Sequence, residues 1–80
     1  MNNLNVHGLT LNQAKNVINK AIEQAYINNV SVLYINHGFN NGFKIKSWCK
    51  KEVINNALVI KVDSGDNEGI SKVFIKLNIK

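Results

Sequence analysis

Arginine is absent from this 80-residue chain, and all ten of its basic residues are lysine. Lysine acts as a point charge and lacks the planar fork that grips phosphate or guanine in two places, so strong sequence-specific readout of a nucleic acid is not expected. Cysteine is nearly absent too. The single Cys49 excludes an internal disulfide and a cysteine-only zinc site. A domain this small buries only about 60% of the surface its unfolded form exposes, so packing alone has to hold it. No apolar run approaches the roughly 20 residues that a membrane-spanning helix needs. The opening Met1-Asn2-Asn3-Leu4 lacks the charged region, apolar run and cleavage site of a secretory signal. Linkers, repeats and low-complexity segments are also missing. The expectation is a cytoplasmic single domain over residues 1–80, with its core at about 4–79 and no membrane contact.

What is present is basic. Ten lysines against five acidic residues give a net charge of +5 and a pI near 9.6, which raises the local concentration of polyanions such as nucleic acid. The many asparagines and isoleucines beside those lysines are also what an AT-rich coding genome produces, so charge alone does not identify the partner.

Hydropathy patterning divides the chain into alternating elements. Leu4-Asn5-Val6-His7 alternates apolar and polar residues and stops at Gly8, as a short strand does. Thr10-Leu11-Asn12-Gln13 fits a capping box, and Ala14, Val17, Ile18, Ala21, Ile22, Ala25 and Tyr26 then recur at helical spacing, which predicts a helix over 11–28. Asn28-Asn29 ends it. The β-branched and aromatic run 30–36 reads as a strand covered on both faces and ends in a second His-Gly pair. After the loop Phe39-Asn40-Asn41-Gly42, the stripe Ile45, Trp48, Cys49 and Val53 predicts a helix over 43–54. This places Cys49 and Trp48 in the core rather than at a reactive or base-stacking site. Residues 57–62 read as a third strand and 63–69 as an acidic solvated loop. A last strand follows, with Val73, Ile75, Leu77 and Ile79 on one face. The fold class is therefore α/β of the α+β sandwich type: a βαβαββ order with two helices on a four-stranded mixed sheet, the first two units being parallel crossovers and the last a hairpin.

In such folds ligands bind beyond the carboxyl ends of parallel strands, where loops meet helix starts. Both His-Gly corners belong there. Neighbouring parallel strands lie about 5 Å apart, which can bring His7 and His37 into one cleft. Gly8 and Gly38 allow sharp turns, and the amides opening the two helices present a positive pole to a phosphate. An imidazole with an ordinary pKa of about 6.5 suits proton transfer in phosphodiester cleavage. The alternative is that each ring merely caps its strand end by hydrogen bonding to a backbone carbonyl. No carboxylate sits at either corner to complete a two-histidine metal site, so no cofactor is assigned. Lys44, Lys46, Lys50 and Lys51 can track a nucleic-acid backbone or simply solvate a helix. Phe39, at a loop tip, is either a hinge packed on the sheet or a stacking surface for a base.

Leu4-Asn5-Val6-His7-Gly8-Leu9-Thr10 resembles the LDLHG opening of the Smr (small MutS-related) domain, and Ile35-Asn36-His37-Gly38-Phe39-Asn40-Asn41-Gly42 resembles its HGxGxG loop. Ile45-Lys46 is similar to that family's aliphatic-basic pair, and Gly69 through Leu77 to its closing strand. The resemblance implies a βαβαββ fold and binding or endonucleolytic cleavage of nucleic acid, DNA or RNA. It implies His7 and His37 as active-site residues, Gly38 and Gly42 as shapers of the phosphate loop, and Lys46 at a basic position. Two departures stand out: Asn5 replaces the acid of LDLHG, and Asn40 replaces the middle glycine of the loop. The first bears on cleavage rather than on binding. The expected site is thus His37, His7 and Asn5 for chemistry, with Gly8, Thr10, Gly38, Phe39, Asn40, Asn41, Gly42, Lys44 and Lys46 for phosphate. A non-catalytic adaptor in the same cleft, and a protein-interaction module within a larger complex using a strand edge, remain open beside the endonuclease.

Overall fold

The structure, a computed structural model, describes residues 2–39 and 42–78. Expectations placed on Asn40, Asn41 and Ile79 lie outside the described residues. The elements are β1 (Asn3–Asn5), α1 (Leu11–Ile27), β2 (Val32–Asn36), α2 (Gly42–Lys51), a 3₁₀ turn (Val53–Asn55), β3 (Val59–Ser64) and β4 (Ile70–Ile75).

Local sequence accounts for most boundaries. At the start of α1 the Thr10 hydroxyl accepts from the Gln13 amide, and the Gln13 side chain accepts from the Thr10 amide, the reciprocal pair that satisfies two orphan donors. At its end Asn29 takes φ = 57°, a left-handed turn that asparagine tolerates. The second helix ends at Lys51, earlier than its apolar stripe suggests, where the Asn55 side chain donates to the Lys51 carbonyl at 3.0 Å. Val53 still reaches the core, from the 3₁₀ turn.

The sheet order is β1-β2-β4-β3. β1 pairs parallel with β2, as expected of a crossover, while β4 is antiparallel to both β2 and β3. The hairpin folds back so that β4 takes the place beside β2, and the second crossover therefore spans two strand positions. One buried cluster unites α1 (Ala14, Ile18, Ile22, Ala25) and α2 (Ile45, Cys49) with Val6, Leu33, Ile35, Val59, Val73 and Ile75 from the sheet side.

The hairpin departs from the sequence expectation. Asp63 and Ser64, read as loop, belong to β3 opposite Lys72 and Ser71. The inward face of β4 is Ser71, Val73 and Ile75, whereas Leu77 lies past the strand and is 63% exposed. β2 is the cause: its five residues pair with Ile70 through Phe74, which ties the strand toward the turn. Among the described residues no helix is long and apolar enough to cross a membrane.

Candidate functional site

The first corner is built by local bonds. Val6 is buried, and its amide donates to the Asn36 carbonyl at 2.9 Å, which holds the end of β1 against β2. The chain then turns, with the Leu9 amide returning to the Val6 carbonyl and Gly8 at φ = 88°. The Asn5 side chain accepts from the His7 amide at 3.0 Å, so this asparagine shapes the turn. The His7 ring is left exposed.

The second corner is pinned from the opposite side. Both the His37 and Gly38 amides donate to the Gly69 carbonyl, at 2.9 and 3.0 Å. The His37 ring is 1% exposed, and both of its nitrogens are engaged, Nδ1 with the Gly38 carbonyl at 3.0 Å and Nε2 with Ser71 Oγ at 2.9 Å. A carbonyl only accepts, so Nδ1 carries the proton. In the neutral ring Nε2 then accepts from the Ser71 hydroxyl. Burial pushes the His37 pKa down; the Gly38 carbonyl opposes that shift and the nearby Lys46 charge adds to it. The His37 ring is thus buried and held at both nitrogens just past the end of β2.

The two corners touch through Gly38, which has φ = 80° and lies against the His7 ring, where a Cβ would run into His7 Cδ2. The positive φ favours glycine there, and any side chain would displace the exposed imidazole as well. In front of this contact lies an open cleft of about 410 Å³, lined by Asn5, His7, Asn36, Gly38, Phe39, Asn67, Gly69 and Ile70. Among the described residues of that lining, His7 is the one that is ionisable. Phe39 stands at its rim with 66% of its surface exposed, its ring edge close to Gly69. A second recess of about 560 Å³ adjoins the corner and is lined by Gly8, Leu9, Thr10, Leu11, Phe43, Lys44 and Ile45.

The expected site residues therefore separate. His7, Asn5, Gly38 and Phe39 meet in the cleft, and Gly8, Thr10 and Lys44 line the neighbouring recess. Gly42 opens α2. The anticipated pairing of two imidazoles in one cleft does not occur, because His37 lies behind it under Ser71 and Gly69. Lys46 does not line the cleft either. It forms an ion pair with Glu68 of the β3–β4 turn, which holds the Glu68 carboxyl below its usual range. Asn36, Asn67 and Ile70 are lining residues that the sequence did not single out; only the fold brings the hairpin turn to the strand ends. Cys49 is buried with its thiol pushed up to about 12, and Trp48 packs half-buried against the core with the Lys15 ammonium 5.8 Å from its ring centre, so both are structural. No three potential metal-ligating side chains cluster among the described residues.

A profile of the Smr domain matches residues 4–76. The chain belongs to the Smr domain family. The crystal structure of the Smr domain of Thermus thermophilus MutS2 superposes with a TM-score of 0.87, covering 95% of this chain and 99% of that one at 19% sequence identity. The Smr fold is thus retained although most side chains differ. No curated protein matches the chain. Smr domains are associated generally with nucleic-acid binding, and in this Smr domain the cleft beyond β1 and β2 is the place where the family's two His-Gly motifs converge.

Proposed function

We propose that this Smr domain binds nucleic acid by seating backbone and base in the cleft between His7 and Phe39. One observation carries the reading. At the carboxyl ends of two parallel strands, an exposed imidazole and an exposed aromatic ring flank a recess that has no acidic residue among its lining. Asn5, Asn36 and Asn67 add carboxamides, and the net charge of +5 favours a polyanion at any orientation. With lysine as the only cation, affinity tracks phosphate more than base identity. Binding to labelled DNA and RNA oligonucleotides should weaken steeply as salt rises. A salt-insensitive interaction, or none with either polymer, would instead favour a protein partner.

Phosphodiester cleavage is the second reading, favoured by the exposure of His7. It would rest on that imidazole alone, with His37 acting as a positioning residue that holds the Gly38 corner. Asn5 is engaged with the His7 amide and brings no carboxylate. Incubation with branched, nicked and single-stranded DNA and with RNA tests this reading. Cleavage that survives His7→Ala undiminished would end it, and a gain of cleavage in Asn5→Asp would support it.

A further inference from the structure

Of the six aromatic residues in the chain, the two that are strongly exposed are Phe39 at 66% and Phe43 at 68%. Tyr26 and Trp48 pack against the core, and Tyr34 and Phe74 lie half-buried in the sheet with the Lys72 and Lys61 ammonium groups over their rings. Leaving a phenylalanine ring in water forgoes the stabilisation that its burial would contribute. Both of these rings stand at the corner, one in each of the adjoining recesses.

The His7-Gly8 turn separates the two recesses. His7 lines the first and Gly8 the second, and among the described residues a Cβ at Gly8 would meet nothing within 4 Å, so that turn leaves room for a close approach by a polymer backbone. At about 410 and 560 Å³, each recess falls in the range that accepts a small planar group. Neither lining contains an acidic residue, and the second carries the exposed Lys44 beside Phe43. This pattern of two separated rings, a neutral open ridge between them and a cation on one side matches unpaired bases that stack while their backbone crosses the ridge. Bases in a duplex have their faces covered by neighbours and cannot reach two such rings except at an end.

We infer that this domain selects single-stranded nucleic acid, with one base stacked on Phe39 in the cleft and another on Phe43 in the adjoining recess. The inference rests on the binding reading above and adds to it the strandedness of the ligand and Phe43 as a contact residue. The base rather than the sugar is recognised, so DNA and RNA single strands are both accepted.

Fluorescence anisotropy with labelled 12-nucleotide oligothymidylate, oligouridylate and a blunt DNA duplex of equal length tests it. Both single strands should bind at least tenfold more tightly than the duplex. Phe43→Ala and Phe39→Ala should each weaken single-strand binding about tenfold, while Phe43→Tyr restores it. Both rings are largely exposed, so neither substitution should unfold the domain, and thermal melting verifies this. Duplex binding equal to that of the single strands would overturn the inference and leave the binding reading standing. So would single-strand affinity unchanged by Phe43→Ala. Failure of all three oligonucleotides to bind would overturn both.

Discussion

His7 and His37 each follow one of two parallel strands and each precedes a glycine with positive φ, yet one ring is solvent-exposed and the other is 1% exposed with both nitrogens bonded. Position in the sheet makes the difference. β1 is an edge strand of three residues, so among the described residues no strand pairs with it on its outer side. β2 lies between β1 and β4, and the chain leaving it passes beneath Gly69 and Ser71 of the hairpin. The same dipeptide is therefore a cap in the interior and a free side chain at the edge. Family motifs locate the corner, and the neighbouring strands decide which histidine faces a ligand.

Stability should separate the two most widely. His37→Ala removes a buried ring, leaves a cavity and strands the Ser71 hydroxyl, which together cost about 2–4 kcal/mol. His7→Ala should stay within about 0.5 kcal/mol, as exposed positions do. Chemical denaturation reads both, and equal losses would erase the distinction. Next comes the contact between the corners. Gly38→Ala should destabilise by about 1–3 kcal/mol from positive φ and from the clash with the His7 ring. In a His7→Ala background only the φ contribution remains, so a double-mutant cycle should show coupling. Additive losses would mean that the ring does not need the space.

The capping box at Thr10 and the stripes of both helices were legible because their partners lie within four residues. The convergence of two His-Gly turns was legible from the βαβ order. The burial of His37 was not, since Ser71 sits 34 positions away and became an inward residue only through the β2–β4 register. Alternation alone favoured Leu77, an apolar residue, over a serine whose hydroxyl is satisfied by a histidine. The ion pair of Lys46 with Glu68 was hidden for the same reason: 22 residues separate the partners, and the acidic run reads as solvated.

Smaller effects sharpen the comparison further. The His37 pKa is depressed in the folded state, so the unfolded chain binds the proton more readily. Stability is then full above the unfolded value of about 6.5 and declines as the pH falls below it, by at most about 1.4 kcal/mol per pH unit. His37→Gln should flatten that slope between pH 6.5 and 5. Melting temperatures across this range check the sign, and a wild-type protein gaining stability on acidification would contradict it. The smallest change is expected from Glu68→Gln, because Glu68 is exposed and its pairing is screened by salt. Melting should barely move, while oligonucleotide affinity should rise modestly as the Lys46 charge is released. Unchanged affinity would place Lys46 outside the reach of the ligand.

The inequality of the two corners is tested most directly by imidazole ¹⁵N–¹H NMR during titration with oligothymidylate at neutral pH. The account predicts that the His7 ring signals move with ligand, while His37 keeps its Nδ1-protonated pattern and its shifts throughout. A His37 ring protonated at Nε2, or one displaced by ligand as strongly as His7, would contradict it.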